Sequence, residues 1–148
     1  MRQLSRRAVL ALGAALVLVG WRESASAAAK DAADEIAKFT GGKQAAPGKI
    51  TIELPEIAEN GNTVPLSITV DAPMTADNYV SDVLVVAEGN PRPGVATFQF
   101  SPMSGKAQVS TRMRLAATQN IIVVAKTNGG QYFTGQKLVK VTIGGCGG

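Results

Sequence analysis

Hydrophobic and polar residues alternate with a period of two along most of the chain after Pro47-Gly48, most clearly within Val64–Val70. Successive side chains of a strand point to opposite faces, so this pattern is typical of half-buried strands. Turn-forming sequences such as Asn60-Gly61 and Asn128-Gly129-Gly130 separate the segments. The pattern predicts strands at Lys49–Leu54, Thr63–Asp71, Tyr79–Ala87, Val95–Ser101, Lys106–Leu115, Asn120–Thr127 and Gln131–Ile143.

One segment before these strands has a helical pattern instead. Residues Lys30 to Phe39 are rich in Ala, Asp and Glu, place Ile36 and Phe39 three positions apart, and stop at Gly41-Gly42. Short strands separated by frequent turns favour an all-β fold of the immunoglobulin-like type. We therefore expect an antiparallel β-sandwich of about seven strands over residues 28–143, with a short N-terminal helix and a flexible C-terminal arm over residues 144–148.

Two of the predicted strands are apolar without interruption, at Val83–Val86 and Ile121–Val124. In a sandwich only every second residue of a strand faces the core, so these runs imply a second apolar face that needs cover. A sheet of a partner protein is the favoured cover, with the arm left free. The alternative is that the N-terminal helix covers this face.

The N-terminus has the pattern of an export signal. Arginines, including the adjacent Arg6-Arg7, precede an uncharged run from Ala8 to Gly20, and Ala25-Ser26-Ala27 offers a small-residue cleavage site. The run is shorter than the ~20 residues that span a bilayer. Paired arginines before a weakly apolar segment predict twin-arginine export, removal of residues 1–27 and a periplasmic protein without a membrane anchor. An ordinary secretory signal is the alternative.

Removing this segment changes the charge of the chain. Residues 28–148 keep 11 basic and 10 acidic residues, a net charge of +1, so the basic character of the whole chain belongs mainly to the signal. A balance this close to neutral gives no indication of nucleic-acid binding.

The composition also excludes several kinds of catalytic site. The chain contains no histidine, so a Ser/His/Asp or Cys/His apparatus is impossible, as are imidazole-dependent metal sites. No metal or other cofactor is expected. The remaining polar groups fit exposed strand edges and loops better than sites: Glu53, Glu56, Glu59, the Gly89–Gly94 loop, and the pair Arg112 and Arg114, which could alternatively bind an anion.

Cys146 is the single cysteine, and it lies between two glycine pairs at the chain end: Gly144, Gly145, Gly147 and Gly148. Glycine has no preferred backbone conformation, and chain ends are usually poorly ordered, so this segment is predicted to be a mobile tether. From Ile143 the thiol could reach roughly 10 Å at ~3.3–3.6 Å per residue. A free thiol is mostly protonated at neutral pH. With no internal base, activation has to come from other proteins, which favours a group carrier over an enzyme.

The terminal Gly-Gly-Cys-Gly-Gly, preceded by Lys140-Val141-Thr142-Ile143, resembles the signature of the SoxY family, the carriers of periplasmic thiosulfate oxidation. The resemblance extends over nearly the whole chain, including the twin-arginine signal. It includes the segments Glu56–Pro65, Asn90-Pro91, Val95–Phe98, Ser104-Gly105 and Val109–Ala116.

The resemblance implies that Cys146 is the point of covalent substrate attachment. A haem enzyme would join thiosulfate to it as a cysteine S-thiosulfonate, and a di-metal hydrolase would release sulfate. The remaining sulfane sulfur would be oxidised by a sulfane dehydrogenase or passed on. The resemblance also implies a heterodimer with a SoxZ-like β-sandwich subunit, which would be exported with the folded chain.

Two other functions remain as alternatives. A ubiquitin-like sulfur carrier also ends in Gly-Gly, but such proteins are cytosolic and have a helix within the sheet. The second alternative is an exported immunoglobulin-like structural module that is cross-linked through its terminal cysteine.

Overall fold

A computed structural model describes residues 27–145, which form one α-helix and nine strands. The predicted signal (apart from Ala27) and the last three residues, Cys146–Gly148, lie outside this range. Among the described residues, no helix is long and apolar enough to cross a membrane. Helix α1 covers residues 27–40. The strands are β1 (Ala46–Pro47), β2 (Ile50–Glu53), β3 (Ile57–Ala58), β4 (Val64–Val70), β5 (Val80–Ala87), β6 (Gly94–Gln99), β7 (Ala107–Met113), β8 (Gln119–Thr127) and β9 (Tyr132–Val141), with a 3₁₀ turn at Pro102–Ser104.

The strands of residues 27–145 belong to two sheets that enclose a common core. The larger sheet has the order β1-β9-β8-β5-β6, with β3 also paired to β9, and the smaller has the order β2-β4-β7. The seven longer strands agree with the seven predicted ones and pair with each other antiparallel. The predicted β-sandwich with a short N-terminal helix is therefore confirmed.

The two shortest strands differ from this prediction. Strands β1 and β3 contain two residues each, and both pair parallel with β9 along the edge that β8 leaves free. Strand β1 pairs with Phe133 and Thr134, whereas β3 pairs with Lys140 and Val141. Two-residue segments are too short for a periodic signal, and they become strands because β9 lies beside them.

The core between the sheets follows the alternation in the sequence. Every second residue of β4 is buried, namely Val64, Leu66, Ile68 and Val70. These side chains belong to the same cluster as Val83, Val85, Ile121 and Val123 of the larger sheet. Each fully buried side chain of this size contributes about 1.5–3 kcal/mol to the hydrophobic free energy of folding.

The outer face of the larger sheet is covered by helix α1. A second buried cluster joins Ala32 of the helix to Leu84, Val86, Val124 and Tyr132 of the sheet. Ile36 and Phe39 pack against this cluster, and the Phe39 ring meets Tyr132 edge-to-face with centroids 6.1 Å apart. The continuous apolar runs of β5 and β8 thus have cover on both faces. The expectation that a partner sheet covers this face is wrong here, and the alternative, the helix, is correct.

The helix is positioned by its own sequence. Ala32, Ile36 and Phe39 fall at spacings of four and three, which places them on one face of a helix. At its end Gly41 and Gly42 have φ of 63° and 80°, and the Gly42 amide donates to the Ala37 carbonyl at 3.1 Å. This left-handed termination suits glycine and turns the chain towards β1.

We expect Ala32→Asp to lower the free energy of unfolding by about 3 kcal/mol, because it buries a carboxylate without a partner. Ala32 is 2% exposed, against Leu84 and Val86. Ala33→Asp, at the exposed neighbouring position, is the matched control and should change stability by less than about 0.5 kcal/mol. Urea unfolding followed by circular dichroism measures both. Equal effects of the two substitutions would contradict the packing of the helix on the sheet.

Candidate carrier site

Three segments of the chain converge where β9 ends. They are residues 57–62, residues 114–119 and the chain end from Val141 onward. The Val141 amide donates to Thr118 Oγ1 at 2.9 Å, and the Thr142 amide donates to the Ala58 carbonyl at 3.0 Å. The Thr142 hydroxyl donates to the Glu59 carbonyl at 3.0 Å. The chain end therefore leaves the sheet between two loops that both bind it.

A short series of backbone hydrogen bonds continues this attachment beyond β9. The Gly61 amide donates to the Ile143 carbonyl at 2.7 Å, and the Leu115 amide donates to the Gly61 carbonyl at 2.8 Å. The Gly145 amide in turn donates to the Leu115 carbonyl at 2.8 Å. We call these three hydrogen bonds the clamp. It joins Gly61 and Leu115 to the chain end at Ile143 and Gly145.

Neither the two glycines of the clamp nor the adjacent Gly144 has room for a side chain. A Cβ on Gly61 would overlap the Leu115 carbonyl oxygen and would lie 2.7 Å from the Gly145 nitrogen. A Cβ on Gly144 would overlap the Ala116 carbonyl oxygen, and one on Gly145 would lie 2.8 Å from the Gly61 carbonyl oxygen. Real Cβ atoms essentially never approach other atoms within 3.0 Å. These three positions need glycine because three backbones meet there.

The first two residues of the predicted arm contact the domain. Gly145 is buried and Gly144 is packed against Ala116, so both belong to the edge of the folded domain. The attachment point Cys146, and with it Gly147 and Gly148, lies outside the described residues, and for these three the predicted tether stays a prediction.

A buried side-chain network fixes the second loop of the clamp. Asn90, only 3% exposed, accepts from the Ala116 amide at 2.9 Å and donates to the Arg114 carbonyl at 2.9 Å. Gln119 donates to Asn90 Oδ1 at 2.9 Å and to the Ala117 carbonyl at 3.0 Å. Sequence reasoning missed both residues, since the Asn-Pro dipeptide indicates only a loop. Their hydrogen bonds determine the path of residues 114–117, which carry Leu115.

The other polar candidates are exposed. Glu53, Glu56 and Glu59 lie at the surface, as do Arg112 and Arg114 on and just after β7. Within residues 27–145, no three His, Cys, Asp or Glu side chains come together to hold a metal ion. The interpretation of these residues as solvated strand and loop positions fits their exposure.

Near the chain end the outer face of the sheet carries exposed apolar side chains. Ile57 of β3 is 57% exposed and Leu138 of β9 is 51% exposed, and both line a cleft of about 300 Å³ with Glu56, Lys137 and Lys140. Ile143, which follows β9 and accepts a clamp hydrogen bond, is 68% exposed. Helix α1 covers the other end of this face, so the cleft exposes two apolar side chains among charged ones near the end of β9.

The fold and the chain end together define a class of protein. It is a β-sandwich whose last strand leads into a glycine-rich chain end, and a single cysteine follows this end in the sequence. The family model for sulfur oxidation protein SoxY matches residues 36–146. The chain belongs to the SoxY family.

Solved structures agree with this assignment. The sulfur carrier protein SoxY from Chlorobium limicola f thiosulfatophilum is 35% identical, with a TM-score of 0.66 over 78% of this chain and 99% of that one. No significant match is found among curated proteins.

More distant structures share the fold alone. A superoxide reductase (neelaredoxin) variant, E23A, from Ignicoccus hospitalis is 17% identical, with a TM-score of 0.57 over 63% of this chain and 79% of its own. A putative superoxide reductase from Thermotoga maritima is 19% identical, with a TM-score of 0.53 over 70% of this chain and 89% of its own. At these identities the likeness concerns the sandwich and carries nothing about chemistry.

Proposed function

We propose that this chain carries sulfur intermediates of thiosulfate oxidation covalently on Cys146. Membership of the SoxY family carries the proposal, because the family match extends to residue 146 and a 35% identical relative is a sulfur carrier protein. The protein is a carrier rather than an enzyme. Its sequence has one cysteine and no histidine, so the groups that activate the thiol belong to other proteins.

The loading step forms a sulfur–sulfur bond. The sulfane sulfur of thiosulfate joins the Cys146 sulfur to give a cysteine S-thiosulfonate, with loss of one proton and two electrons. A haem-containing loading enzyme accepts the two electrons. Water then cleaves the bond between the sulfane sulfur and the sulfonate group in a di-metal hydrolase. This step releases sulfate and two protons and leaves a persulfide anion on Cys146, which a sulfane dehydrogenase oxidises or another acceptor takes.

Cys146→Ser should fold normally but abolish thiosulfate-dependent turnover in a reconstituted system, because a hydroxyl cannot form the exchangeable sulfur bond. Intact-mass analysis of the native protein should find sulfur adducts on the unaltered chain and none on the variant. Retained turnover would refute the proposal. A native protein found only as a disulfide dimer would favour the structural module.

A relocated thiol provides the matched control. Gln108→Cys, made in the Cys146→Ser chain, puts a thiol on an exposed position of β7. It should react with small thiol reagents but should not restore turnover. Restored turnover would show that any exposed thiol of this chain serves the enzymes.

The cleft lined by Ile57 and Leu138 is the surface we assign to a SoxZ-like partner subunit. Helix α1 leaves these apolar side chains uncovered at the end of the sheet from which the arm emerges. A partner seated there would bury both side chains. Expressed alone, the chain should then self-associate, and co-expression should give a one-to-one heterodimer.

Leu138→Asp should weaken this heterodimer at least about tenfold, which corresponds to about 1.4 kcal/mol, because it places a charge in the interface. Met103→Asp is the matched control, since Met103 is 97% exposed on the 3₁₀ turn. It should leave the affinity unchanged. Sedimentation of the co-expressed pair measures both variants, and equal affinities would place the partner on another surface.

The protein is proposed to reach the periplasm through the twin-arginine pathway. Replacing Arg6 and Arg7 by lysine should leave precursor in the cytoplasm, because that pathway reads the paired arginines. Cell fractionation with immunodetection measures the distribution. Replacing Arg22, which follows the apolar run, by lysine is the control and should not affect export. Normal periplasmic accumulation of the Arg6/Arg7 variant would favour the ordinary secretory signal.

A further inference from the structure

We propose that Gly61 is a positioning residue of the carrier, which holds the base of the arm so that Cys146 is presented from a fixed point at the domain edge. The inference rests on the proposed function for its purpose but not for its geometry. Gly61 lies 85 positions before Cys146 in the sequence. Its amide and its carbonyl nevertheless both take part in the clamp, as do those of Leu115, and of these two residues Gly61 is the one that bonds Ile143, which follows β9.

The hydrogen bonds of the clamp are short, and three of the four residues that form them are buried. Gly61, Leu115 and Gly145 are all buried, and the three N···O distances are 2.7, 2.8 and 2.8 Å. Opening the clamp without water would leave these backbone groups unpaired, which costs free energy comparable to a lost hydrogen bond for each. The closed arrangement is therefore the stable one, and an open arm has to exchange these bonds for bonds to water.

The clamp uses backbone atoms only, and its steric requirement falls on both sides of the contact. A Cβ on Gly61, on the domain side, would lie 2.7 Å from the Gly145 nitrogen. A Cβ on Gly145, on the arm side, would lie 2.8 Å from the Gly61 carbonyl oxygen. The domain therefore recognises the arm by its lack of side chains. In consequence, a substitution at Gly61 can release the arm without altering the arm's own sequence.

The clamp also sets the reach of the thiol. With Gly145 held, Cys146 is the next residue, so the last fixed backbone is a single residue step of about 3.3–3.6 Å away. Loading enzymes would then meet the thiol close to the clamp, unless the clamp opens. With the Gly61 clamp closed the mobile arm is short, and with it open the arm is longer.

Hydrogen exchange of the Gly145 amide tests the proposal directly. In the unaltered protein this amide, bound to the Leu115 carbonyl, should exchange at least about tenfold more slowly than the amides of Gly147 and Gly148. Gly61→Ala should abolish the difference, because the added Cβ overlaps the Leu115 carbonyl. Gly129→Ala is the matched control. A Cβ on Gly129 would lie 3.8 Å from its nearest neighbour, Thr127 Oγ1, and Gly129 does not have a positive φ. Its substitution should therefore leave the exchange of the Gly145 amide unchanged.

A nitroxide label on Cys146, the single cysteine, provides a second readout that a purely structural effect would not move. The electron paramagnetic resonance spectrum should show the broad lines of a slowly moving label in the unaltered protein and in Gly129→Ala. In Gly61→Ala, measured under conditions where the domain is folded, the lines should be narrower because the label moves faster. If Gly145 in the unaltered protein exchanges as fast as Gly147, the proposal is overturned, whether or not Gly61→Ala folds. Neither readout involves thiosulfate, so the failure of the carrier function and the failure of the clamp are separate results.

Discussion

The hydrogen-bonded ladder between β8 and β9 is the interaction on which the position of the chain end depends. It runs from Gln119 opposite Val139 to Lys126 opposite Tyr132. A slip of one residue would turn every side chain of β9 to the other face and move the buried Val139 out of the core. The register is therefore fixed by burial, and with it the point at which the chain leaves the sheet. The loops that bind Val141 and Thr142 act on a chain end that the ladder has already placed.

Burial on both faces of the larger sheet explains what the sequence could and could not predict about the fold. The alternation within Val64–Val70 and the uninterrupted run Val83–Val86 gave the strands and the need for a second cover. The sequence also indicates the helix that covers this face, because Ala32, Ile36 and Phe39 repeat at helical spacing. Only tertiary packing, however, decides which apolar face the helix contacts. Strands β1 and β3 carry no signal of their own, since each forms only where β9 offers a free edge.

The chemistry of the site was easier to predict than its geometry. A lone cysteine and the absence of histidine are properties of the composition, and they exclude whole classes of mechanism. The meeting of Gly61 with Gly144 and Gly145 is a long-range contact that no local pattern encodes. Asn60-Gly61 indicates a turn, yet Gly61 is not among the described glycines with positive φ, and its requirement is for space. Asn90 is similar: its sequence context indicates a loop, and only its burial shows that it supports one.

A carrier that serves several enzymes has to combine a slender arm with a defined starting position. Side-chain contacts could define the position, but bulky residues on the arm would obstruct a narrow active-site channel. A clamp made of backbone amides and carbonyls avoids this conflict, because it holds Gly145 through its backbone amide and needs no side chain on the arm. The domain then has to meet the same steric condition, because Gly61, which contacts the arm, has no room for a side chain either. On the proposed function, the glycines before Cys146 would meet two physical requirements: they fit the domain edge when the arm is bound, and they would add no side chain to the arm's cross-section inside an enzyme.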